Sequence, residues 1–135
     1  MITRRDALAS TPFLLLLQAA QAQTSTQSGN TPVFQQDLPN ISMDDWQVMV
    51  SEIHQAPGQV GRPHRHPGFV LVYVLEGTLI SKISGGPEKT YTAGQMFYEP
   101  PGSTHEVSRN PSGVQTVRFL AFIFAKKGAQ LTTPV

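Results

Sequence analysis

The stretch Gly61–Gly77, GRPHRHPGFVLVYVLEG, sets two histidines one residue apart just ahead of a long apolar run. Phe69 to Leu75 is apolar at every position and rich in β-branched residues, the pattern of a central strand covered on both faces. Residues i and i+2 of an extended chain point to the same side. His64 and His66 therefore face together at the head of this strand, hemmed by Pro63, Pro67 and Gly68.

Strand-like segments and turn signals alternate on either side. WQVMVSEIH, from Trp46, carries Trp46, Val48, Val50 and Glu52 on one face, and APGQVGRP follows as a loop. After the central run come LISKIS, the turn GGPEK, the short segments TYTAG and MFYEPPG, then HEVSR, the turn NPSG and the apolar segment VQTVRFLAFIFAK. Turns at intervals of about 8–12 residues, with 11 glycines and 11 prolines, predict an all-β sandwich or barrel. A chain of 135 residues with this many strands must limit its open edges, and a jelly-roll barrel does so while giving alternate side chains an interior to face.

Composition narrows the function. There is no cysteine, so disulfides, thiolate ligands and a thiol nucleophile are excluded. The formal net charge is +1, with 14% charged residues and no basic run longer than Lys126-Lys127. Nothing in that balance suggests nucleic acid or a charged membrane surface. Neither a Ser-His-Asp set nor a pair of carboxylates stands out.

The histidines suggest metal chemistry. Two neutral imidazoles on one face can share a divalent ion, and a third donor makes the site strong. His105, in PPGSTHEV at the start of another strand, can supply it if the two strands are neighbours. A face of the ion then stays open for substrate. His54 has no comparable context and is read as a surface histidine or one that supports the ligands from outside. Glu76 is read as a turn residue. Arg118 is read as an outward side chain, with anchoring of a substrate carboxylate as the alternative.

Two motifs carry a family resemblance. GQVGRPHRHPGFVLVYVLEG resembles the first cupin motif, with Gly58, His64, His66 and Gly77 in place. GQMFYEPPGSTHEVSRN resembles the second, with Gly94, Pro100, Gly102, His105 and nearby Asn110. The resemblance implies a double-stranded β-helix, or jelly-roll barrel, with His64, His66 and His105 as metal ligands. Gly58, Gly77, Gly94, Pro100 and Gly102 would hold the turns. It also implies a divalent transition metal such as Fe, Mn, Ni or Zn. The chain departs from the family in one place. The Glu ligand usual seven residues before the final glycine of the first motif is here Val70. Glu99 is a candidate substitute ligand or supporting carboxylate, and Val70, Tyr73 and Phe97 are expected to line the cavity.

The implied function is a small metal-dependent enzyme, dioxygenase-like or isomerase/lyase-like, that chelates a small oxygenated substrate. A non-catalytic ligand-binding module of the cell envelope is the alternative. Neither reading assigns catalytic residues beyond the ligands. Residues 1–22 have the pattern of a signal peptide: Arg4-Arg5, an apolar core at Phe13–Leu17, and Ala20-Gln21-Ala22 as a cleavage site, with the arginine pair similar to a twin-arginine signal. The expected organisation is a signal peptide at 1–22, a flexible segment at 23–34, a cupin domain at 35–128 and a C-terminal tail at 129–135. The protein is expected to be periplasmic or secreted, with no membrane contact in the mature form. A small molecule is the expected partner, and residues 31–45 could serve as an arm in a homodimer.

Overall fold

In the computed structural model, residues 28–135 are described, and Thr31–Val135 form one unit. The segment read as a signal peptide lies outside the described residues. Among the described residues nine strands follow one another: β1 (Trp46–Gln55), β2 (His64–Arg65), β3 (Phe69–Glu76), β4 (Thr78–Ile83), β5 (Lys89–Thr92), β6 (Met96–Glu99), β7 (Thr104–Arg109), β8 (Val117–Lys126) and β9 (Thr133–Pro134). They form two antiparallel sheets, ordered β1-β8-β3-β6 and β5-β4-β7-β2-β9. This is the jelly roll that the turn spacing predicted.

Strand alternation builds the core. Val70, Val72 and Val74 of β3, and Val117, Phe119, Ala121 and Ile123 of β8, point inward with Leu79 and Phe97. The central run is apolar throughout because its other face also packs. Phe69 stacks on Phe124 with ring centroids 4.6 Å apart, and Leu71 and Tyr73 pair in register with Phe122 and Leu120. On β1 the face bearing Val48, Val50 and Glu52 is the outward one. Its inward residues include Ser51, Ile53 and Gln55, and this second set lines the interior cavity. Arg118, between His54 of β1 and Glu76 of β3 in register, binds Glu52 at 2.7 Å and Glu76 at 3.2 Å on the outside of the barrel.

Two close approaches fix the strand around the histidines. A Cβ on Gly68 would collide with the Phe124 carbonyl oxygen and lie 2.8 Å from the Trp46 ring. Gly77, at φ +79°, makes the β3–β4 turn, and a Cβ there would sit 3.0 Å from the Thr116 carbonyl. Gly58, Gly94 and Gly102 also have positive φ. Pro100 opens a turn closed by Ser103, whose Oγ donates to the Pro100 carbonyl at 2.6 Å.

The residues expected to be a tail enter the sheet. β9 pairs with β2, placing Pro134 opposite His64 and Thr133 opposite Arg65, and Leu131 packs against the core. A two-residue strand has no periodicity to read, so only its partner reveals it.

Candidate metal centre

His64 of β2 stands directly opposite His105 of β7 in the antiparallel register. Arg65 locks that register by donating from Nε to Thr104 Oγ1 at 2.9 Å. The rings of His64 and His105 are 5.1 Å apart, and those of His64 and His66 are 4.9 Å apart and nearly perpendicular. Three imidazoles thus gather at one place in the barrel, although β2 itself ends at Arg65.

Glu99 joins them. It is the last residue of β6, is buried, and points inward with Phe97. Its Oε1 lies 3.2 Å from His105 Nδ1 and its Oε2 lies 3.7 Å from His66 Nε2. In the β3–β6 ladder it pairs with Val70, the position where the motif resemblance implies a glutamate. The alternation of β6 gives the direction of Glu99, which the Pro-Pro-Gly turn hides in the sequence.

Each imidazole has one nitrogen tied to the protein. His64 Nδ1 donates to the Arg62 carbonyl at 2.8 Å, and His66 Nδ1 donates to the Leu131 carbonyl at 2.6 Å. A carbonyl only accepts, so both rings carry their proton on Nδ1 and leave Nε2 as a bare lone pair. His105 Nε2 is 2.8 Å from Ser81 Oγ. Ser81 can donate to that nitrogen while Nδ1–H donates to Glu99. With the tautomer reversed, Nε2–H donates to Ser81 and Nδ1 presents a lone pair. Burial holds His64 below the ordinary imidazole value; the Arg62 carbonyl opposes this and the neighbouring imidazoles add to it.

This donor set, three imidazoles and one carboxylate, suits a divalent transition ion. Donors that share an ion at about 2.1 Å sit roughly 3.0–3.4 Å from one another. The 3.2 Å contact fits that edge and the 3.7 Å contact is slightly wide. Among the described residues, no group of three or more His, Cys, Asp or Glu side chains is arranged at metal-holding geometry.

The centre opens into a cavity of about 290 Å³. Its wall combines Ile53, Val72, Phe119, Ala121 and Ile123 with polar groups from Gln55, Arg62, Ser108 and Thr132. From β3 the lining residue is Val72. Val70 and Phe97 lie in the core beside the cavity, and Tyr73 has the opposite parity and faces outward. Gln55 and Ser108 carry no motif and were not singled out in the sequence. The inward alternation of β1 is the one signal that could have found Gln55.

The sequence matches the family model for a cupin domain over residues 51–123, more than half of the chain. The chain belongs to the cupin family. This cupin is 32% identical over 74 residues to the β-alanine degradation protein BauB of Pseudomonas aeruginosa, covering 53% of this chain and 78% of that one. It is 38% identical over 68 residues to germin-like protein 5-1 of Oryza sativa subsp. japonica, covering 47% of this chain but 31% of the relative. Among solved structures it resembles Bacillus subtilis oxalate decarboxylase, a protein with Mn(II) centres, at a TM-score of 0.54 and 22% identity. That match covers 65% of this chain and 24% of the other, and at this identity it speaks for the fold.

Proposed function

We propose that this cupin is an exported metal-dependent enzyme acting on a small, enolisable, oxygen-bearing anion. His64, His66, His105 and Glu99 would hold the metal. The observation that carries the reading is the division of labour on the imidazoles: one nitrogen of each is bonded to Arg62, Leu131 or Ser81, leaving the other for the centre they surround. When bound, a divalent ion supplies Lewis-acid charge and open positions for substrate oxygens.

The chain's own residues set the rest. One carboxylate against a divalent charge leaves the centre net positive, and Arg62 adds a second cation to the cavity wall, which favours an anionic ligand. Glu99 is the one carboxylate among the lining residues, so it is the group that can accept a proton from a carbon acid there. Val72, Phe119, Ala121 and Ile123 give the cavity an apolar wall beside that group.

Elemental analysis of protein purified without chelator or affinity-tag metal tests the reading, with His64→Ala/His105→Ala as the comparison. About one equivalent of a single transition metal is expected, and its loss in the variant. Iron would direct the chemistry toward dioxygen-dependent cleavage; manganese, nickel or zinc would direct it toward isomerase or lyase chemistry. No metal after each candidate ion is supplied would overturn the reading.

A further inference from the structure

Gln55 and Ser108 form a buried pair in the same cavity, and both have hydrogen-bonding capacity left over. Gln55 is 5% exposed and Ser108 is 5% exposed, yet both line the cavity. Gln55 Nε2 donates to Ser108 Oγ at 2.8 Å. Gln55 Oε1 finds no hydrogen-bond partner among the described residues. A buried acceptor left bare costs free energy, so such an atom calls for an explanation.

The spare capacity has a definite chemistry. As placed, Gln55 offers a bare acceptor and Ser108 retains its O–H to donate. Turning the amide over makes Ser108 donate to Oε1, which leaves a Gln55 N–H and the lone pairs of Ser108 free. Either way the pair presents one donor and one acceptor together. A hydroxyl, which both donates and accepts, matches that pair. A carboxylate, which only accepts, and a methyl, which does neither, do not.

The barrel holds the pair in place. On β4 and β7, Ser81 pairs with Ser108 and Ile83 pairs with His105, with a register shift between them. That irregularity brings His105 and Ser108, three residues apart, both to the inside, where strict alternation would send one out. Asn110 donates from Nδ2 to the carbonyls of Gln55 at 3.1 Å and Gln115 at 2.7 Å, fixing the end of β1. Gly61 packs against the pair: a Cβ there would lie 3.3 Å from the Ser108 carbonyl oxygen and in ordinary contact with Ser108 Cβ and Gln55 Nε2.

We propose that Gln55 and Ser108 recognise a hydroxyl group on the substrate, at the end remote from the anionic group that faces the three histidines and Glu99. This rests on the reading of the cavity as a substrate site and adds the substrate class: a short hydroxylated acid. Three residues of strand separate Ser108 from His105 by roughly 10 Å. The 290 Å³ cavity holds roughly ten water volumes. Together they fit an anion of about eight heavy atoms.

The test compares four probes on the metal-supplied protein by calorimetry: 5-hydroxypentanoate, hexanoate, 5-amino-5-oxopentanoate and glutarate. 5-Hydroxypentanoate should bind about tenfold more tightly than hexanoate, which replaces the hydroxyl by a methyl. In Gln55→Leu/Ser108→Ala, where both partners become apolar, that preference should vanish while hexanoate still binds. Circular dichroism and the hexanoate isotherm report that the variant is folded. Equal affinity of the wild-type protein for 5-hydroxypentanoate and hexanoate would overturn the inference and leave the substrate-site reading standing. Tightest binding of the amide probe, or of glutarate, would overturn the hydroxyl assignment. Persistence of the preference in the double variant would remove the role of the pair. Binding of none of the four would overturn the inference together with the reading of the cavity.

Discussion

Val70 and Glu99 face each other across the β3–β6 ladder. Side chains paired in this way share a face with their Cβ atoms about 5 Å apart. A carboxylate on the adjacent strand thus lies on the same side of the sheet as Val70. His105 Nδ1 and His66 Nε2 lie 3.2 Å and 3.7 Å from the two Glu99 oxygens.

Moving that carboxylate tests its role. Glu99→Gln should weaken metal binding by about 100-fold or more, since loss of even an outer partner of a ligand costs about 10–100-fold. Val70→Glu with Glu99→Val, which returns the carboxylate to β3, should recover part of the loss. Val70→Glu alone buries a second carboxylate beside the first and should destabilise the metal-free protein by about 3–5 kcal/mol. Metal titration and urea unfolding read the two effects separately.

Ser81 holds the His105 ring in place through the 2.8 Å contact to Nε2. Ser81→Ala should leave the barrel intact and reduce metal affinity by about 10–100-fold. Ser81→Thr, which keeps the hydroxyl, should restore most of it. An unchanged affinity in Ser81→Ala would show that Ser81 does not orient the ring.

The last residues hold His66. A chain ending at Gln130 lacks the Leu131 carbonyl, the packing of Leu131 on the core and the pairing of β9 with β2. Metal content of this variant should fall well below one equivalent, and amide exchange at His64 and Arg65 should accelerate. Strands β3 and β8, paired elsewhere, should keep their protection.

Arg118 should prove irrelevant to the cavity. Its guanidinium binds Glu52 and Glu76 outside the barrel, and the hydrogen bond from Arg118 is the largest cause holding Glu52 below the ordinary carboxylate value; burial acts the other way. A lowered folded value means this pair adds stability above the unfolded carboxylate pKa and loses it as pH falls through the folded one. Arg118→Ala should let the Glu52 titration, followed by NMR, rise toward its ordinary value and should leave metal content and probe binding unchanged. A loss of anionic-probe binding would instead place Arg118 in the site.

The barrel and the histidines were legible because both depend on local spacing. Apolar runs between Gly and Pro turns specify strands, and the i, i+2 spacing of His64 and His66 predicts two rings on one side. The motif order around Gly94 and His105 was equally local. Tertiary structure decided what depends on which strands become neighbours. The placement of Glu99 beside Val70 is a property of the β3–β6 register. The tie of His66 to Leu131 spans 65 residues, and Gln55 meets Ser108 across 53. Neither span leaves a periodic trace. Tyr73 shows the converse: an apolar run covered on both faces does not say which parity looks into the cavity. The sequence alone determined a barrel with imidazoles at its mouth. Long-range pairing of strands determined the position of Glu99 beside the histidines and the polar groups facing the cavity, because a side chain's neighbours are fixed only when the sheets close.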